Sequence, residues 1–200
     1  MDQYQEIAAL AAFDALNAQD SRVTETVDGP LPYELAYGIR MSERLAIYAP
    51  DAPVALRLAA RAQHLERWKF PRATYPVGRT GYFQWRNDMK AYHAQRASEI
   101  LAVLNVAPEI IDRVAHLIRK KQLLSDPETQ LLEDVICHVF LEFYLEEFAI
   151  DHAEAQVLDI LYKTWDKMSE AGKRAAMDLP TSLKVRSWID RILEVKKLNG

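Results

Sequence analysis

His64, His93 and Asp134 are the side chains of this sequence best placed to do chemistry. Counted in helical steps, Tyr82, Met89, His93, Ala97, Ile100 and Leu104 share one face, so His93 is an imidazole set into an apolar stripe. Leu131, Asp134, His138, Leu141, Leu145 and Phe148 form a second such stripe. A carboxylate there is costly unless it is paired, hydrogen-bonded or bound to metal. His64 falls near the C-terminal end of a third predicted helix, with Ala60 and Trp68 at helical spacing. Two imidazoles and one carboxylate suit a single divalent ion such as Zn, Mn or Fe. The same residues also suit hydrogen-bonded core positions, with His138 as the partner of Asp134. The sequence has no HExxH, paired CxxC, EF-hand loop, P-loop or GxSxG. The single cysteine, Cys137, has no nucleophile signature around it and reads as a buried thiol.

A second constellation surrounds His64. Arginines alternate with aromatics through Arg67, Trp68, Phe70, Arg72, Tyr75, Arg79, Tyr82, Phe83, Trp85 and Arg86. Arginine suits planar, bidentate recognition of phosphate or carboxylate, so Arg67, Arg72, Arg79 and Arg86 are candidate anion ligands. Lys120 and Lys121 add a second basic cluster beside Arg119, which equally complements a helix C-terminus. From Arg61 to Arg96 eight basic residues face only Glu66 and Asp88, whereas Asp126 to Glu170 holds twelve acids against Lys163 and Lys167. Either the basic segment holds an anion, or both runs are solvated faces.

These side chains must be positioned by helices. Apolar residues recur at spacings of three and four, Gly and Pro number only 6 and 9, and no run alternates with period two. The fold class is therefore all-α: a single domain over residues 1–200, built from about seven to nine helices. The spacing predicts helices over Tyr4–Asn17, Pro32–Ala49, Asp51 (as N-cap) to before Pro71, Thr80 (as cap) to Asn105, Pro108–Leu123, Pro127–Ile150 and Ala153–Met168. Shorter pieces follow around Ala171–Met177 and Thr181–Lys197. With 200 residues, 50% of them hydrophobic, the chain can bury a core without staples. One cysteine, a polar start and no long apolar run predict a cytoplasmic protein without a membrane span. A net charge of −4 argues against nucleic acid as partner.

Several stretches resemble an uncharacterised family, the domain of unknown function 4202, over about residues 11 to 180. They are Ala59 to Trp68, Pro71-Arg72 with Tyr75-Pro76, Gly81-Tyr82 with Trp85-Arg86, Ile118 to Lys121, Leu132 to Val135, and Thr164-Trp165 with Met168-Ser169. The order of helices and ligands is also remotely similar to the HD-type metal-dependent phosphohydrolases. That resemblance implies an HD-like core over about 31–150, with helices of 151–200 packed on it. It places metal ligands at His64, His93 and Asp134. The chain departs from the HD pattern at Tyr37, which stands at the first His position, and at Leu65, which replaces the Asp of the His-Asp pair. Lys120 or Lys121 replaces a further His.

Two functions follow. In one, the chain is a metal-dependent hydrolase of a small phosphate-bearing molecule, a nucleotide among the options. One ion would sit on His64, His93 and Asp134, Glu133 or Glu66 would orient water, and the arginines and lysines would clamp phosphate. In the other, the module is non-catalytic, and the same segment holds an anionic ligand or a partner protein. Trp188 and its neighbours either cap the core or form a homodimer.

Overall fold

The computed structural model describes residues 1–120 and 125–198. It is all-α, as expected, with ten α-helices among the described residues. They divide into two compact units, Met1–Gln122 and Leu123–Gly200, so the division falls inside the stretch expected to be one HD-like core. None of the described helices is long and apolar enough to cross a membrane.

The first unit opens with α1 (Gln3–Asn17), started by a capping box in which the Asp2 side chain accepts from the Gln5 N–H. A two-residue antiparallel ladder, β1 (Val23–Thr24) with β2 (Leu31–Pro32), replaces the expected loop; Val23 faces Pro32 and Thr24 faces Leu31. Then come α2 (Tyr33–Tyr48), α3 (Val54–Arg61), α4 (Arg79–Val103) and α5 (Pro108–Arg119). α3 supplies Leu56, Leu58, Ala59 and Ala60, and α5 supplies Val114, Leu117 and Ile118, to a core completed by Phe13, Met41, Leu45 and Leu101. Burying each of the large members stabilises the unit by about 1.5–3 kcal/mol.

Two expectations about helix ends are corrected. Asp51 does not cap α3: the helix starts after Pro53, without a side-chain cap, and stops at Arg61. The chain then enters the left-handed region at Glu66 (φ 55°), which no α-helix can absorb, and continues through short 3-10 turns at Arg67–Lys69 and Arg72–Thr74. His64 therefore sits in the turn after α3, not on it. Likewise α4 is led by Gly78 (φ 92°) rather than capped by Thr80, which lies inside its first turn.

In the second unit, Asp126 caps α6 (Pro127–Val139), accepting from the Glu128 and Thr129 N–H groups. A five-residue π turn, Phe140–Tyr144, joins it to α7 (Leu145–Ile150). α8 (Glu154–Lys167), α9 (Glu170–Ala176) and α10 (Leu183–Leu198) complete the unit around Leu141, Leu145, Leu161, Trp165, Trp188 and Ile189.

Candidate functional site

The first unit brings His64, His93 and Arg67 together, and adds Glu34, which the sequence reading did not single out. Glu34 is in the first turn of α2, one turn before Tyr37. The Tyr37 ring stacks on His64 at 3.7 Å with the planes 12° apart. His64 Nδ1 lies 3.2 Å from Glu34 Oε2, and this contact assigns the proton to Nδ1. Arg67 NH1 lies 3.0 Å from His64 Nδ1 and 3.2 Å from Nε2; with the proton on Nδ1, Nε2 is the ring nitrogen that can accept from it. The Arg67 guanidinium also covers the Trp85 ring at 4.8 Å, and the Trp85 indole N–H donates to the Phe70 carbonyl at 3.0 Å.

His93 stands next to this group, its ring centre 6.2 Å from that of His64. Its Nδ1–H donates to the Leu65 carbonyl at 2.7 Å, while the buried Nε2 has no hydrogen-bond partner. Behind the histidines, Asn17 ties the pieces together. Its amide donates to the Glu34 carbonyl at 3.3 Å and its oxygen accepts from the Glu66 N–H at 2.8 Å, which fixes the left-handed turn. Arg22 bridges the buried carboxylates of Asp20 and Glu34, at 2.7 and 2.8 Å.

Protonation follows from this geometry. Burial pushes the Glu34 carboxyl up, but His64, Arg67 and Arg22 outweigh it and bring it down to about 2. Burial and then the Arg67 charge push His64 down to about 3, against the pull of Glu34, although 23% of its side chain stays exposed. Burial brings His93 down to about 4. At neutral pH the site is a carboxylate, two neutral imidazoles and a guanidinium. All three titrating groups hold their proton more weakly when folded than when unfolded. Stability is therefore complete above the ordinary histidine value and lost as pH falls through it toward 4. We expect urea unfolding to show a loss on the order of 3 kcal/mol between pH 7 and pH 4 from His93 alone. The His93→Phe variant should flatten that slope, and an equal slope in parent and variant would refute the assignment.

The other expected site residues have contacts of their own. Glu66, expected as a base, is buried with its oxygens taken by Lys69, by the Tyr92 hydroxyl at 2.9 Å and by Arg96 at 2.9 Å. Burial raises its pKa, but those donors outweigh it and the net shift is downward. Arg72 donates to the Tyr75 and Gly78 carbonyls at 3.1 and 3.2 Å, closing its own loop. Arg79 and Arg86 cover Phe83 and Tyr82 on the surface of α4, at 5.5 and 5.7 Å. Lys120 ends α5 in the left-handed conformation, and Lys121 lies outside the described residues.

Glu133 and Asp134 are buried in the second unit. There the Asp134 carboxylate accepts from the Ser169 N–H at 2.8 Å, the Ser169 hydroxyl at 2.5 Å and Gln130 at 3.0 Å. His138 Nε2 stands 2.8 Å from the Gly172 carbonyl, so both polar members of the α6 stripe hold α9. Cys137 is a buried thiol, as expected. A cleft of about 400 Å³ in the same unit is lined by Leu158, Tyr162, Ile192 and Val195, with only exposed charged side chains at its edge. It has no connection with the histidine cluster in lining residues.

Two imidazoles sharing one ion at bonds of roughly 2 Å have ring centres within about 6.5 Å, which His64 and His93 just satisfy. Other contacts occupy the rest of the expected set. Arg67 stands on the His64 lone pair, and Asp134 is engaged by Ser169. Among the described residues no group of three or more His, Cys, Asp or Glu side chains is arranged to hold a metal ion.

The fold and cluster thus define an all-helical protein with a carboxylate–histidine–arginine site on its first unit. The chain belongs to the family described as a domain of unknown function, DUF4202, whose family model matches residues 7–189. No curated protein and no solved structure matches it.

Proposed function

We propose that the first unit is a binding module for a small phosphate-bearing anion, held on Arg67 between His64 and Trp85. One observation carries this reading. Arg67 is half-buried, yet among the described residues its only hydrogen-bond partner is a neutral imidazole, and its plane is fixed by an aromatic face. Most of its five N–H donors remain available for a ligand. Glu34, in contact with His64, balances its charge, so the gain on binding comes mainly from bidentate, charge-assisted hydrogen bonds.

The test is titration of the protein with inorganic phosphate, pyrophosphate and AMP, followed by NMR. Arg67→Ala is expected to weaken binding about ten- to a hundredfold, from the loss of one or two charge-assisted bonds. Arg79→Ala should leave it unchanged, because that side chain is exposed and away from the imidazoles. Equal affinity in Arg67→Ala, or no binding by the parent at millimolar ligand, would end this reading.

The hydrolase reading, with one Zn, Mn or Fe ion as cofactor, is supported by the pair of oriented imidazoles alone. Elemental analysis separates the two: near-stoichiometric metal that is lost in His93→Ala favours the hydrolase, and metal-free protein that binds phosphate favours the module.

A further inference from the structure

Resting on that binding reading, we infer that His93 makes the site select an anion bearing its own proton, a phosphate group, over an equally charged anion without one, such as a sulfate. The Nδ1–H of His93 is committed to the Leu65 carbonyl at 2.7 Å. In a neutral imidazole the other nitrogen is then an acceptor only. That atom, Nε2, is buried in a side chain only 3% exposed, and no described group donates to it. Leaving such an acceptor unmade costs about 1–3 kcal/mol.

The groups around it do not satisfy it. His64 gives its proton to Glu34, the Tyr92 hydroxyl goes to Glu66 and the Arg67 NH1 goes to His64. The His93 ring centre is 6.2 Å from that of His64, against which Arg67 stands, so an anion seated on Arg67 comes beside the His93 ring. A bare oxygen turned toward the Nε2 lone pair is repelled, whereas a P–O–H group donates to it. Arg67 on one side and His93 on the other thus read two different faces of one ligand group: its charge and its hydrogen. Buried polar groups of this kind discriminate more strongly against a ligand lacking the matching group than apolar contacts do.

The experiment compares methyl phosphate with methyl sulfate on the full chain at about pH 5, where most of the phosphate ester is singly charged and protonated. Binding is followed by NMR shifts at fixed ionic strength. Methyl phosphate should bind at least tenfold tighter, and His93→Phe should bring the ratio near one by weakening the phosphate ester alone. Equal binding of the two esters by the parent overturns the inference while leaving the anion site standing. An unchanged ratio in a folded His93→Phe moves the selectivity to another group and overturns it equally. Failure of both esters to bind removes the site itself, and the inference with it. The comparison of esters on the parent protein decides the question even if the variant does not fold.

Discussion

Replacing Asp134 with alanine is expected to destabilise the second unit by about 3 kcal/mol, without any effect on phosphate binding in the first. Asp134 is 2% exposed, and its carboxylate accepts from the Ser169 N–H, the Ser169 hydroxyl and Gln130. Ser169 is the N-cap of α9, and its hydroxyl oxygen in turn accepts from the Gly172 N–H at 2.9 Å. Removing the carboxylate therefore leaves a half-buried N–H and the cap hydroxyl without their partner, in a helix of only seven residues that has little stability of its own. Gly172 shows how tightly the parts fit. A Cβ there would stand 2.5 Å from the Asp134 carboxyl carbon, so α9 approaches as closely as a glycine allows. Asp134→Asn should recover part of the loss, because its amide oxygen can still accept from Ser169. Urea unfolding followed by tryptophan fluorescence reads the effect, since Trp165 and Trp188 both lie in this unit's core. Parental stability in Asp134→Ala, together with loss of a bound metal, would return Asp134 to the role of ligand.

Asp134 also shows which part of the site was legible in the sequence. Its place on an apolar stripe correctly announced a buried carboxylate in need of partners. The stripe could not say whether those partners were an ion or a helix N-terminus 35 residues further on. His93 was legible in the same way, because helical periodicity on α4 puts Met89, His93 and Ala97 inside. Tyr82, assigned to that face, is 41% exposed, and Trp85 is buried instead.

The turn carrying His64 was illegible for a local reason. Ala59 to Trp68 has no Gly or Pro to end a helix, and the break is made by Glu66 in the left-handed region. That conformation is held by Asn17 and by Tyr92 and Arg96 on α4, all tertiary contacts. Glu34 was missed because a glutamate in a first helical turn already has a sufficient explanation in the helix dipole. Its pairing with His64, 30 residues away, leaves no mark in spacing. The basic segment was legible as a run of charge but not as a site. Of its arginines, Arg72 is spent on loop carbonyls and Arg61 on Asp14, and only Arg67 reaches the imidazoles.

Gly81→Ala is the second substitution with a large expected effect, and it tests whether the loop before α4 braces the site. Gly81 is buried in the first turn of α4. A Cβ there would fall 1.9 Å from the Pro76 carbonyl oxygen and 2.7 Å from its carbon. Both are backbone atoms, so no side chain can rotate away, and either the loop or the helix start must move. The loop is closed on itself by Arg72, which donates to the Tyr75 and Gly78 carbonyls. It is also pinned at Phe70 by the Trp85 indole. Displacing Pro76 breaks into this network, and the cost should be about 3 kcal/mol, at the upper end for overpacking. Gly29→Ala is the control. It meets no atom within 4 Å, so only its positive φ of 108° opposes the change, and about 1 kcal/mol is expected. Because Trp85 also carries the face on which Arg67 lies, Gly81→Ala should weaken phosphate binding as well as folding, whereas Gly29→Ala should not. Gly81→Ala with parental stability and affinity would show that the loop moves freely of the cluster, leaving Arg67 to be positioned by His64 and Trp85 alone.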